Sequence, residues 1–387
     1  MSNPRVTVIG AGVIGCAVAY YNAKAGADVI LVDAGDLADY TSSRCDGNVL
    51  VSDKEPGYDA SLTAYSQNLL DELKKELDYD FEWERRGSML IMENEKEMEM
   101  GETLCRRFTE TGIRCHMMDK KELKSREPYV ADDLPGGMWF DDDGCLYPMG
   151  LCYGLAAGVK KLGGRLSLHN PVLAIDRTEA GFAVQTAKET IETDVVVNCC
   201  GVKAPEVGAM VGIQIPIRGR QGQILVSEQS FKVAKQKVME FGYMMAKFQN
   251  SGDYKRPVTE DMEKYGVALV YEPTGGDNFL LGSSRYFTDS LDAEFDVMRA
   301  IAQRGIRFFP VMKDIKVIRC YAGVRPFTPD HMPIVSATEI PGYFIAAGHE
   351  GDGVGMSAVT GLLMSQMIAG QKTQFDMEPL MIRRFDK

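Results

Sequence analysis

Residues Arg5 to Asp33, RVTVIGAGVIGCAVAYYNAKAGADVILVD, constrain the fold more than any other part of the chain. Val6, Val8 and Ile9 read as a short buried strand. Gly10, Gly12 and Gly15 follow as G-x-G-x-x-G. Ile14, Ala17, Val18, Tyr21 and Ala25 then recur at helical spacing, and Val29 to Val32 form a second apolar strand ending at Asp33. This is a β-α-β unit with glycines at its first turn. Gly10 permits the tight turn, Gly12 lets a pyrophosphate approach the backbone, and Gly15 lets the helix lie close to the strand. Phosphate charge would sit at the helix N-terminus, where unpaired N–H groups and the dipole favour it. Asp33 stands where an acceptor can bind a ribose hydroxyl pair. Ala11, Val13 and Ile14 in the turn, and Ala34 after the acid, belong to the same expected adenine dinucleotide site.

Other function classes are weakened by composition. A net charge of −12 with no basic run argues against a nucleic-acid surface. No run approaches the roughly 18 apolar residues of a membrane helix. The first strand begins almost at residue 1, which leaves no room for a signal peptide and predicts a cytoplasmic protein. Nine cysteines without a C-x-x-C read as reduced, packed thiols, and four histidines in no ligand spacing argue against zinc.

Beyond Asp33, TSSRCDGNVL from Thr41 suits a helix start or a loop near an anionic cofactor, or a plain hydroxyl cap. Leu62 to Leu77 predicts an amphipathic helix. Phe81 to Arg85, Ser88 to Met92 and Met138 to Tyr147 predict strands. Asp141-Asp142-Asp143 reads as a solvent-facing turn rather than a cation site. Helices are predicted over Glu93 to Arg107, Leu151 to Leu162 and Met298 to Phe309. Arg165 to Ile175, Phe182 to Thr186 and Thr193 to Asn198 read as strands, the last running into Cys199-Cys200-Gly201. Lys247 to Lys264 reads as a polar loop or lid. Near the C-terminus, an apolar strand over Tyr343 to Ala347 enters a second glycine-rich turn, Gly348 to Gly355, and a helix from Met356 to Ile368. The expected architecture is α/β. A discontinuous nucleotide lobe (1–50, 150–213, 319–387) carries an antiparallel-sheet substrate lobe (51–149, 214–318).

Eight ordered pieces together resemble the FAD-dependent D-amino acid oxidase superfamily. They are VIGAGVIG, TSSRCDGNV, NPVLAID, VVVNCCGVKA, PIRGRQGQILVSE, LLGSSR, YAGVRPFTPDHMPIV and GYFIAAGHEGDGVGMSAVTG. They look like the branch of glycine oxidase, sarcosine oxidase and the amine-oxidising subunits of heteromeric dehydrogenases. TSSRCDGNV followed by Lys54, Pro56 and Gly57 is most similar to the opine oxidase, D-hydroxyproline dehydrogenase and hydrogen cyanide synthase subunits.

The resemblance implies roles residue by residue. Gly10, Gly12, Gly15 and Asp33 would hold the ADP half of FAD. Ser42, Ser43 and Arg44 would lie along the pyrophosphate, with Gly47 and Asn48 near the flavin ring. Val172 would meet the adenine, Cys200 and Gly201 would line the nucleotide, and Gly351, Asp352, Gly353, Val354 and Gly355 would face the flavin pyrimidine edge. Arg325, in AGVRP, would bind a substrate carboxylate, which suits its paired donors. Tyr243 and Tyr271 are further candidates for pocket hydroxyls, and Asn48 is counted with them as a catalytic candidate. The family's flavin-linking cysteine would fall near Ala322, so non-covalent FAD is expected. A second family arginine is replaced here by Gly351, leaving carboxylate binding mainly to Arg325, and His349 reads as structural. The implied activity is oxidation of the C–N bond of an amino acid or N-substituted amino acid (a D-amino acid, an imino acid or an opine-like compound), with partner subunits carrying further redox centres. A 2-hydroxy acid oxidoreductase, a non-catalytic FAD-holding assembly subunit and a tRNA-modifying enzyme remain alternatives.

Overall fold

The computed structural model describes residues 3–248 and 254–386. Two sheets organise it. The first has six strands in the order 334–337, 343–347, 195–198, 5–9, 28–32, 165–167. All neighbours are parallel except the first pair. The strand Arg5–Ile9 is central, and the chain leaves it to opposite sides, toward Asp28–Val32 and Val195–Asn198. A crevice opens at the carboxyl ends of strands where connections diverge in this way, and the G-x-G-x-x-G turn stands there.

The helix Val13–Lys24 is buried over nearly its whole surface, because it packs against both Pro148–Lys161 and Gly353–Ile368. Small residues permit the approach: a Cβ on Gly361 would lie 2.7 Å from the Ala17 carbonyl oxygen. Apolar residues on all faces are therefore what this position requires.

The second sheet has nine strands, among them Ser88–Met92, Arg218–Ser227, Lys237–Glu240, Val270–Pro273, Phe279–Gly282 and Val317–Phe327. Most pairs are antiparallel. Its far face packs on the helix Phe295–Phe308 through a core of Val238, Tyr271, Leu281 and Ile301. Its near face covers the crevice of the first sheet.

Several expectations change. The boundary at 319 falls inside a strand: Val317–Phe327 pairs along its length with Arg218–Ser227, so Arg325 belongs to the second sheet. The strand expected over 165–175 is two strands in two sheets. Arg165–Ser167 edges the parallel sheet, whereas Val172–Thr178 pairs antiparallel with Gly181–Thr186. Pro171, which lacks an N–H, and the left-handed His169 (φ 49°) make the break. The strand expected over 138–147 divides into Gly136–Phe140 and Gly144–Cys145. Asp143 between them is buried rather than solvent-facing. It accepts from the Val51 amide at 2.6 Å and the Ser88 hydroxyl at 2.6 Å, tying three segments together. Only Glu84–Arg85 of the segment 81–85 is strand. Of the expected lid 247–264, residues 249–253 lie outside the described residues, Lys247 belongs to the helix Gly242–Phe248, and Glu260–Lys264 is a short helix.

Candidate active site

A groove of about 530 Å³ runs along the carboxyl ends of the parallel strands. Gly10 and Gly12 floor it, Asp33 and Ala34 wall it, and Val13 and Ile14 begin the helix behind. Gly10 is left-handed at φ 107°, and a Cβ there would meet the Cys199 carbonyl oxygen at 2.6 Å, so only glycine fits. Gly15 has a packing role: its Cβ would fall 1.7 Å from the Gly10 oxygen. Ala11 is fully buried, and its amide donates to Asp33 Oδ2 at 2.6 Å. Asp33 Oδ1 accepts from the Gly35 amide at 2.7 Å. The acid is thus held rigidly at the groove wall by backbone donors.

The break at Pro171 brings Val172 to the groove, since the Asn170 amide is tied to the Asp33 carbonyl at 2.8 Å. Cys200 and Gly201 line the opposite wall. Ser42 completes the helix start. Its Oγ accepts from the Val13 amide at 3.0 Å, serving from a distant turn as the cap that Gly12 lacks.

The groove opens into a chamber beneath the second sheet, with Val13, Ser42 and Gly353 bordering both. Arg44, Asn48 and the turn from Gly351 through Asp352, Gly353 and Val354 to Gly355 line it. Arg325, Tyr243 and Lys237 line it as well, with Arg325 close to Gly351. The turn is braced by buried ions. Lys247 Nζ lies 2.9 Å from Asp352, Lys54 Nζ lies 2.9 Å from the same carboxylate, and both lysines also reach Asp53. Burial opposes charge on Asp352, but Lys247 and Lys54 hold its carboxyl well below the usual range. His349 is structural, as expected: its Nε2 pairs with Thr360 Oγ1 at 2.9 Å, and burial pushes its pKa down to about 3.

Strand register explains what faces the chamber. Arg220 pairs with Arg325 and Gly222 with Gly323, and alternate residues share a face. A Cβ on Gly222 would lie 2.2 Å from Arg325 Nη1, so the glycine makes room for the guanidinium to lie flat on the strand. Arg325 donates to the Ser284 carbonyl at 2.9 Å and pairs with no carboxylate among the described residues. Burial lowers its pKa, and the neighbouring Arg285 lowers it further. Asn48 Oδ1 and Lys237 Nζ are both buried without a hydrogen-bond partner among the described residues.

Tyr271 is not in the site. On Val270–Pro273, Val270 faces the chamber, so Tyr271 points to the opposite face. There its hydroxyl donates to the Ala234 carbonyl at 3.1 Å and its ring packs on Phe279 and Phe309. Ser43 and Gly47 are displaced too: they line an outer cavity of about 550 Å³ behind the Cys45–Asn48 turn. Glu272 stands in that wall, accepting from the Gly47 amide at 3.0 Å, with its pKa pushed up to about 7 by burial and by Asp46.

Sequence reasoning passed over Arg220, Lys237, Lys247, Glu272 and Arg285. For Lys237 and Glu272 a charge inside an otherwise apolar strand (QKVME, VYEP) was the available signal, because such charges are seldom buried without a task.

Glycine turns at a helix start, a fixed acid at a strand end and an apolar floor fit an adenine dinucleotide. The unmet donor and acceptor at Lys237 and Asn48 fit a ring bearing both N and O functions. Groove, chamber and covering sheet together define a flavin-dinucleotide oxidoreductase frame. The family model of FAD dependent oxidoreductases, DAO, matches residues 5–367, and the chain belongs to that family. Human mitochondrial sarcosine dehydrogenase is 25% identical over 406 residues, covering 99% of this chain, and the chain spans 42% of that protein's length. An opine oxidase subunit of Rhizobium meliloti is 25% identical over 400 residues, covering 98% of this chain and 97% of its own. The structure of glycine oxidase from Geobacillus kaustophilus superposes with a TM-score of 0.86 at 22% identity, covering 99% of both chains. Among the described residues, no helix is long and apolar enough to cross a membrane, and no His, Cys, Asp and Glu group could hold a metal.

Proposed function

We propose that the protein oxidises the C–N bond of an amino acid or N-substituted amino acid. The carrying observation is Arg325, a half-buried guanidinium facing the chamber with no carboxylate partner among the described residues. A buried cation without a counter-charge is costly, and a ligand carboxylate in bidentate contact would offset that cost. FAD, when bound, supplies the hydride acceptor at its N5. The chain's own residues anchor and orient. Arg325 fixes the carboxylate, the covering sheet excludes bulk water, and Tyr243 walls the amine end. The substrate amine binds neutral, so loss of hydride from the adjacent carbon needs no strong protein base. The resulting imine takes up water and splits to a carbonyl compound and an amine.

Non-covalent FAD is supported by Cys320. Its neighbours Tyr321 and Gly323 face the cavities, so Cys320 faces the other way, against the core of the second sheet. A catalytic role within a hetero-oligomer is supported by the opine oxidase relative, which is itself named as one subunit of its enzyme. Size-exclusion chromatography of the chain alone tests that part, because an active monomer would remove the need for a partner.

The test of function is the anaerobic absorption spectrum, recorded before and after adding D-, L- and N-substituted amino acids. Bleaching of flavin bands by an amine is the expected outcome. Bleaching only by 2-hydroxy acids, or by nothing, would overturn the reading.

A further inference from the structure

Two buried charges face each other where the chamber meets the outer cavity. In the antiparallel ladder Val238 pairs with Tyr271 and Met239 with Val270, so Lys237 stands opposite Glu272. Alternate residues share a face, which puts both on the side where Met239 and Val270 line the chamber. Lys237 lines the chamber and Glu272 lines the outer cavity. Ser42, Arg44 and Cys45 border both spaces.

Lys237 is 4% exposed and Glu272 is 8% exposed. Opposite charges this deep usually close on each other, because an uncompensated one is costly. These two do not close. Among the described residues Lys237 Nζ has no hydrogen-bond partner, and Glu272 accepts from the Gly47 amide at 3.0 Å. The chamber's other carboxylates are committed. Asp53 and Asp352 are held by Lys54 and Lys247, and Glu350 by Arg220. Asp46 lines the chamber but not the outer cavity, and accepts from the Asn48 amide at 3.3 Å.

The groups facing Glu272 are of mixed sign. Burial and Asp46 raise its pKa, Lys237 and Arg86 lower it, and the balance is about 7. Cys45, Cys145 and Tyr321 also feel the carboxylate, but their own pKa values are raised, so they stay neutral there. Arg44, Arg319 and Glu82 line the same cavity.

An amino acid arrives as an ammonium ion, whereas hydride loss needs the neutral amine. One proton must leave the nitrogen on binding. We propose that Glu272 takes that proton through Lys237. The ammonium gives a proton to Lys237 Nζ as Lys237 gives one to the Glu272 carboxylate, so the lysine is unchanged and the carboxyl becomes neutral. Glu272 holds the proton during hydride loss and afterwards releases it to the outer cavity. Three donors on one ammonium let Lys237 serve the ring and the amine together. The proposal rests on the chamber being the amine-oxidising site. Glu272 touches no reacting atom and acts through Lys237.

The test is the pH profile of anaerobic flavin reduction, as rate over dissociation constant, with sarcosine, L-proline and D-alanine. The wild type should rise through about pH 7 and then stay level to about pH 10, the range of an ordinary alkylammonium, because it uses the ammonium form. Glu272→Gln can use only the neutral amine. It should lose about 100-fold near pH 8, with the gap closing toward about pH 10. Lys237→Met should show the same slope, and Glu272→Asp should keep the level region. Asp46→Asn should move the rise below about pH 7, since Asp46 raises the Glu272 pKa. Flavin content and thermal midpoint show that each variant is folded. Infrared difference spectra read Glu272 without turnover. At about pH 8, 2-aminoisobutyrate, which has no α-hydrogen, should raise a protonated-carboxyl band in the wild type and none in Glu272→Gln. A wild-type profile that climbs steadily to about pH 10 would overturn the proposal. So would a Glu272→Gln loss that is constant with pH, or a rise abolished by Asp46→Asn. If the parent reading fails instead, none of the three amines bleaches the flavin at any pH.

Discussion

The groove and the chamber are built in opposite ways. The groove is made of backbone: glycines without Cβ, amides at a helix start, and one acid pinned by two N–H groups. Its largest single share comes from the segment 9–42, joined by residues 170–172, 199–210 and 346–353. The chamber depends on charged side chains delivered by segments far apart in sequence. Arg325, Lys237, Lys54 and Asp352 come from four separate segments. A phosphate-bearing cofactor with a fixed shape can be met by fixed backbone. A small anionic substrate is met by ions whose charges are held out of water. The groove should therefore fail through sterics and the chamber through electrostatics.

The most damaging change should be Gly15→Val in the groove. With the Gly10 oxygen 1.7 Å from even a Cβ, the helix must leave the strand. The expected cost exceeds about 3 kcal/mol. It should appear as loss of bound flavin and a lowered thermal midpoint; a variant that melts normally with full flavin would break the steric account.

Arg325→Met should do the reverse. Flavin content and melting should stay near wild type, because the arginine has no carboxylate partner to strand among the described residues. Anaerobic flavin reduction should fall roughly 100- to 1,000-fold through loss of a bidentate charged contact. Retained reduction would remove Arg325 from the site.

Asp33→Ala is a smaller change in the groove. It releases the Ala11 and Gly35 amides. FAD affinity should drop by about 2 kcal/mol, near 30-fold, as measured by equilibrium dialysis.

Glu272→Gln sharpens the electrostatic side. Burial and Asp46 raise the folded pKa of Glu272 to about 7 from a reference of 4.5. The folded state thus binds the extra proton between those values, and stability falls as pH rises through that window. Glutamine removes the penalty. It should stabilise the protein by on the order of 2 kcal/mol above pH 7 and by nothing near pH 4, as followed by thermal melts across pH. A gain that does not vary with pH would contradict the assignment.

The same division marks what could be read from the chain. The groove was legible because its glycine turn, helix start and acid lie close together in the segment 9–42. The β-α-β unit, Asp33, the turn at 351–355 and most helices follow from spacing alone. Arg325 was legible only through resemblance in a short motif. Misreadings occurred where long-range pairing decides. Tyr271 was taken for a pocket residue, yet register with Lys237–Glu240 turns it to the core. Position 319 was taken for a boundary, yet the strand through it is completed by a partner some 100 residues earlier. Asp143 looked like part of a solvated acidic run until Val51 and Ser88 were seen to close on it.

By itself the sequence determined a dinucleotide-binding α/β frame, since strand period, helix period and glycine placement are local properties enforced by backbone sterics. Only the tertiary structure decided which charges meet. Arg285 beneath Tyr243, Lys54 and Lys247 on Asp352, and Arg325 laid across Gly222 all depend on strand register and on segments brought together from across the chain. Electrostatic energy depends on separation and burial, and neither is written in the order of the residues.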